Sequence, residues 1–188
     1  EDIALMRAIP GMTVIVPSDD IEAKAAVMAA AETEGPFYMR FGRAAVPVIN
    51  DRPDYKFEVG KAVVVKDGTD MVIFANGVCV AEALGAAEKL AADGISAEVI
   101  NLRTIKPYDE QIIAESVAKT NRLVIAQEGP KVGGWAAEIG AMVTEKYFEY
   151  LAAPVERVTC KDIPVSFAPS LEDYYMLTSD DIVKACKK

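Results

Sequence analysis

MVIFANGVCVAEALGAAEKLAADGISAEVINL, residues 71–102, carries the pattern that decides the fold. Met71 to Gly77 is an unbroken apolar run of strand length, as expected for a strand buried on both faces. From about Val80 to Ala92, Ala, Leu, Glu and Lys alternate as in a helix. Gly94 stands where a C′ glycine would end it. Ala97 to Leu102 is again β-rich.

The same alternation continues downstream. KPYDE (106–110) reads as the start of a helix reaching Lys119, and Arg122 to Glu128 as a strand. Gly133-Gly134 precedes a helix from Trp135 to about Tyr150. Val155 to Cys160 is the last strand and Ser179 to Lys187 the last helix. Upstream, FEVGKAVVVKDGTD (57–70) suggests a hairpin-like entry turning at Asp67-Gly68. Residues 57–188 are therefore expected to form an α/β domain with a mostly parallel sheet covered on both faces.

Residues 1–47 repeat the theme in miniature. Met12 to Val16 is a short strand, and Ser18, Asp19 and Asp20 offer capping oxygens to a helix from Ile21 to about Thr33. Its expected apolar face is Ile21, Ala25, Met28 and Ala29. Pro36 to Phe41 is the next strand, giving a βαβ unit with parallel pairing. From Ala44 the sequence becomes turn-like, and residues 48–56, with Pro53, read as a linker. One helix and two strands bury too little to stand alone. The unit reads as the tail of a larger α/β domain, and the chain as a fragment or one part of an assembly.

Composition narrows the chemistry. The 188 residues include 20 Lys and Arg against 29 Asp and Glu, a net charge of −9, with no Lys/Arg cluster suited to nucleic acid. No apolar run approaches the ~18 residues of a membrane span, so no membrane partner is expected. There is no histidine, which removes Ser-His-Asp and Cys-His catalysis and imidazole metal sites. Cys79, Cys160 and Cys186 are odd in number and far apart, as for reduced thiols in a cytoplasmic protein.

Arg40 and Arg43, in MRFGRAAVP, fall at the C-terminal end of the second predicted strand, the edge where ligands of open α/β sheets collect. Guanidinium suits phosphate or carboxylate; the alternative is a surface pair tied to the acidic loop 51–54. Glu128 directly follows a strand and could be a site carboxylate or a loop partner. Gly129 to Gly134 could hold a phosphate at a helix N-terminus, but neither GxGxxG nor GxxxxGK[ST] is present, which favours a plain turn. Asp19 and Asp20 are explained by capping and Cys79 by burial. Trp135, Tyr147, Phe148, Tyr150, Tyr174 and Tyr175 read as core or interface. No complete active site emerges from these residues.

A resemblance adds to this reading. EDIALMRAIPGMTVIVPSDDIEAKAAV (1–27) and GPFYMRFGRAAVPVIND (35–51) resemble the second half of a transketolase pyrimidine-binding domain, above all the C-terminal section of split transketolases. DYKFEVGKAVVVKDGTDMVIFANG (54–77) and INLRTIKPYDE (100–110) are similar to the transketolase C-terminal domain, and equally to that of 2-oxoacid dehydrogenase E1 β subunits. RLVIAQEGPKVGGWAAEIGAMVTEKYFEYLAAPVERVTCKDIPVSFAP (122–169) looks more like an E1 β subunit.

The resemblance implies thiamine diphosphate with Mg²⁺ in the complete enzyme, the cofactor supplying an acyl-anion equivalent. The family's GDG motif is not in this sequence. Its tautomerising glutamate and catalytic histidine would fall before Glu1, so this chain alone is not expected to bind the cofactor. Arg40 matches the arginine that holds the sugar phosphate, with Arg43 assisting; no catalytic or metal residue carries over. The resemblance also implies a partner, either an N-terminal transketolase section or an E1 α-type subunit, and a homo- or hetero-oligomer acting on phosphorylated sugars. The alternatives left open are an E1 β subunit of a 2-oxoacid or acetoin dehydrogenase and a non-catalytic scaffold or dimerisation fragment.

Overall fold

The computed structural model describes residues 1–43 and 45–188; Ala44, where the turn-like stretch begins, lies outside them. The elements of the first part are α1 (Asp2–Ala8), β1 (Thr13–Ile15), α2 (Asp20–Glu32) and β2 (Phe37–Met39). Then come β3 (Val63–Lys66), β4 (Met71–Ala75), α3 (Cys79–Ala92), β5 (Ala97–Asn101), β6 (Thr104–Lys106) and α4 (Glu110–Thr120). The chain continues through β7 (Leu123–Gln127), α5 (Trp135–Lys146), a 3₁₀ turn (Phe148–Tyr150), β8 (Glu156–Thr159), α6 (Pro169–Tyr175) and α7 (Ser179–Cys186).

The apolar runs 71–75, 97–101 and 123–127 form the interior of a five-stranded sheet ordered β3-β5-β4-β7-β8, buried along their whole length. β5, β4, β7 and β8 run parallel and β3 is antiparallel to β5. Strand period 2 divides the core between the two faces. Met71, Ile73 and Ala75 pack with Val80, Leu90 and Ile182, whereas Val72 and Phe74 pack with Ile113, Trp135 and Ile139. The α/β architecture and the covered, mostly parallel sheet agree with the sequence reading. Gly94, at φ +80°, takes the expected left-handed position after α3.

Several local expectations fail, each for a physical reason. β3 and β4 are not a hairpin, because β5 lies between them. The Asp67-Gly68 turn instead brushes the start of β5 so closely that a Cβ at Gly68 would overlap the Ala97 backbone. Lys106 does not open a helix: residues 104–106 form β6, which pairs antiparallel with β1 in a second sheet ordered β2-β1-β6. The helix starts only after Asp109, whose side chain accepts from Ile112 N. β1 and β2 pair in parallel, as the βαβ reading requires.

The early unit is not left with one helix, since EDIALMR forms α1 and buries Ile3 against the Trp135 side of the core. α2 buries Glu22 and Ala26, not the face through Met28, which is exposed. α5 ends at Lys146, short of Tyr150, and α6 was not foreseen. Trp135 and Tyr175 are core residues, whereas Phe148 and Tyr174 are largely exposed.

Residues 48–56 are strapped down. Ile49 N and Asn50 N each donate to Asp19 Oδ2 at 2.7 Å, and Tyr55 Oη donates to Glu22 Oε1 at 2.7 Å.

Candidate functional site

Arg40 continues the β2 ladder by one residue, its N–H donating to Ile15 O at 2.9 Å. That contact delivers the side chain to the C-terminal edge of the small sheet. There Nη1 and Nη2 donate to Glu128 Oε2 and Oε1, the latter at 2.6 Å, and Nε lies 3.6 Å from Asp2 Oδ2. Two residues read separately from the sequence thus meet as a bidentate pair, the geometry guanidinium and carboxylate favour. Arg40 does not turn to the acidic loop 51–54. Burial would pull its pKa down, but the bonds to Glu128 and the charge of Asp2 outweigh that and hold the guanidinium above its ordinary range.

Arg43 makes the parallel arrangement nearer to solvent. It pairs with Glu172 and stands over the Phe167 ring, 5.2 Å from its centroid. Its side chain is 61% exposed against 21% for Arg40. Both arginines line one cavity of about 440 Å³, with Val78 on its wall. The cavity also contains Glu82, Glu128, Glu172 and Asp173, four carboxylates to two guanidiniums. An anion entering here must replace carboxylates already seated on the arginines.

The remaining candidates fall to structural roles. Gln127 fills the end of α5, accepting from Ala136 N at 2.8 Å and donating Nε2–H to Pro130 O at 2.7 Å. A Cβ at Gly134 would overlap that amide, so the glycine-rich stretch is a turn packed on Gln127 and not a phosphate cradle. Asp19 caps α2 by accepting from Glu22 N at 2.8 Å. Burial raises its pKa, but the hydrogen bonds from Glu22, Asn50 and Ile49 prevail and lower it. Cys79 is fully buried. Desolvation first, then the charge of Glu128, push its thiol well up, which is the opposite of an activated nucleophile.

Sequence reasoning missed the most polar part of the interior. Glu22 is wholly buried, and its Oε2 accepts from Ser18 N at 2.7 Å and Ser18 Oγ at 2.8 Å. Asn101 Nδ2 donates to both Glu22 oxygens, and Arg103 Nη1 lies 3.6 Å from Oε1. Arg103 also donates to the carbonyls of Lys56 and Lys61 and faces the Phe57 ring at 4.6 Å. The Asp19-x-x-Glu22 spacing, that of a capping box, was the signal that could have flagged Glu22.

The architecture is thus two sheets packed through a common apolar cluster, with arginines at a strand end. The chain matches the transketolase C-terminal domain over residues 60–182 and the transketolase pyrimidine-binding domain over residues 1–48. It belongs to the transketolase family of thiamine-diphosphate-dependent enzyme subunits.

Among similar proteins is the acetoin:2,6-dichlorophenolindophenol oxidoreductase subunit beta of Bacillus subtilis, 39% identical, covering 95% of this chain and 53% of that protein. The 6-deoxy-6-sulfo-D-fructose transketolase subunit SqwH of Clostridium sp. is 38% identical over 98% of this chain and 56% of its own length. Pyruvate dehydrogenase E1 component subunit beta-1 of Arabidopsis thaliana is 40% identical over 98% and 53%. A solved split gene transketolase, described as an inactive beta4 tetramer, superposes with a TM-score of 0.89 at 40% identity, over 100% of this chain and 60% of that one. The chain spans about half the length of the curated relatives it matches.

The residues present do not fit the diphosphate and cation of the family cofactor. Among the described residues no cluster of three or more His, Cys, Asp or Glu side chains could hold a metal ion. The N-terminus of α5, behind the glycine-rich turn, is filled by Gln127 and offers no diphosphate cradle.

Proposed function

We propose that this chain is the C-terminal part of a split transketolase, transferring a two-carbon ketol unit between sugar phosphates within an assembly. Thiamine diphosphate and Mg²⁺ are assigned to the complete assembly and to residues of an N-terminal section or partner subunit. The observation carrying the reading is the MRFGR edge. Arg40 and Arg43 stand side by side at a strand end in one cavity, where a phosphate can exchange for Glu128 and Glu172 on their guanidiniums. Arg43, the more exposed, meets the phosphate first, and Arg40 holds it. The likeness to a split-gene transketolase along the whole chain supports the same reading, as does a relative named as a transketolase subunit. That relatives are subunits of larger enzymes supports oligomeric assembly. A cytoplasmic location, where the three free thiols stay reduced, is part of the proposal.

In the complete assembly, Arg40→Ala should raise KM for phosphorylated sugars about tenfold or more, the worth of one lost charge-assisted contact, with little change for unphosphorylated ones. Equal effects on both substrate classes would remove Arg40 from the role. A second reading, the β subunit of a 2-oxoacid or acetoin dehydrogenase E1, is favoured by the names of other relatives. Ketol transfer from a ketose phosphate, measured beside 2-oxoacid- or acetoin-dependent dye reduction on the same assembly, decides between them.

A further inference from the structure

In a chain with nine more acidic than basic side chains, five cations gather at a second cleft, which meets the MRFGR cavity at Met176 and Leu177. Lys131, Arg157, Lys161, Lys184 and Lys188 line a volume of about 310 Å³. Its two carboxylates are occupied. Glu156 pairs with Lys188 at 2.9 Å, and Asp181 closes the capping box of α7, accepting from Thr178 N and Oγ. Lys131, Arg157, Lys161 and Lys184 have no carboxylate within 4.0 Å among the described residues; Arg157 donates to Lys131 O at 3.4 Å, and Lys161 donates to Tyr174 O at 2.5 Å and stands over that ring at 3.9 Å.

The floor of the cleft is β8, all four of whose residues line it, and α7 forms a wall. β8 is the terminal strand of the large sheet and, among the described residues, pairs only with β7. A strand directs backbone donors and acceptors alternately to its two sides, so the outer side of β8 keeps groups with no strand opposite them. At one end the edge is already in use, with Lys161 N donating to Tyr175 O at 3.4 Å.

We infer that this cleft binds an acidic segment of a partner protein in extended form, added as a strand to the free edge of β8. The cations without carboxylate partners explain why the added strand is acidic, and they repel a second copy of the same edge. A free phosphate would satisfy the charge but not the row of backbone groups, which a strand satisfies through its own main chain. The inference does not depend on which reaction the assembly catalyses.

The probe is a fluorescent Ac-EVEVEVE-NH₂ peptide titrated into the full-length protein by anisotropy. Alongside it run the same peptide N-methylated at alternate residues, its Lys counterpart, and inorganic phosphate as competitor. The acidic peptide should bind in the micromolar range, weaken as salt rises, and slow amide exchange at residues 157–159. N-methylation on the strand-pairing side should weaken it about tenfold, as should the surface double exchange Lys131→Glu/Lys184→Glu. The Lys peptide should not bind. Absence of binding at millimolar peptide overturns the proposal. So does equal binding of the N-methylated form, or full displacement by phosphate with no amide protection, either of which leaves only charge attraction. The N-methylation arm uses the unaltered protein and so holds even if the double exchange impairs folding.

Discussion

The arginine–carboxylate sets at the cavity and in the interior differ above all in access to water. At the cavity, Arg40–Glu128 and Arg43–Glu172 keep their heads near solvent, at 21% and 16% and at 61% and 26% exposure. Inside, Glu22 and Arg103 are 0% and 3% exposed and bind each other through a shell of Asn101, Ser18 and Tyr55. A buried pair cannot exchange partners, because any opening leaves a charge in a low-dielectric interior. An exposed pair can, because water or an incoming anion takes over the vacated bonds. The buried set therefore fixes how α2, residues 48–57 and β5 are joined. The cavity set is the one whose pairs an incoming anion could exchange, as the proposed function requires.

The strongest way to break this contrast is to remove one buried partner. Arg103→Ala strips Glu22 of its cation and Lys56 and Lys61 of a donor. It should cost about 3–5 kcal/mol, the range for an orphaned buried charge. Chemical denaturation of the assembly and of the variant measures it. A loss no greater than that of a surface ion pair would make the two constellations equivalent and defeat the comparison.

The cavity set predicts a change of the opposite kind. Glu128→Gln keeps the shape but removes the competing charge from Arg40. Phosphate and phosphorylated sugars should then bind several-fold more tightly, seen as a lower inhibition constant for inorganic phosphate. Stability should fall by about 1 kcal/mol or less, as for a partly exposed pair. Unchanged or weaker phosphate inhibition would show that Glu128 is fixed on Arg40 in the working state.

How far these constellations were legible in the sequence follows the same division. The large sheet was readable because β4, β5 and β7 are buried on both faces and must be apolar throughout. Arg40 and Glu128 each stand out in the sequence as residues at strand ends. Their pairing does not, since 88 positions separate them and only the crossover between the sheets brings them together. The Glu22 network was invisible for a different reason. An apolar-face reading of α2 selects Ile21, Ala25 and Met28, whereas the helix turns a carboxylate inward. β6 was lost because its three residues resemble the approach to a helix until β1 offers them an edge.

Asp19 gives the smallest and most selective test, because it joins α2 to residues 49–50 through hydrogen bonds accepted by a carboxylate. Its folded pKa lies below the usual 3.8, so the ionised form is the one the fold prefers. The contribution is therefore complete above the unfolded pKa, and it disappears as pH falls through the lower folded value. Asp19→Asn keeps one oxygen for the α2 cap but turns an NH2 toward Ile49 N and Asn50 N and has no charge to titrate, and should cost about 1 kcal/mol or more at neutral pH. The gap between parent and variant should narrow once pH drops below about 4 and close further down. Denaturation midpoints measured for both proteins from pH 7 to pH 3 check the sign. A gap that stays constant would mean that the loss comes from the missing second acceptor alone, and that the charge of Asp19 adds nothing to the strap on residues 49–50.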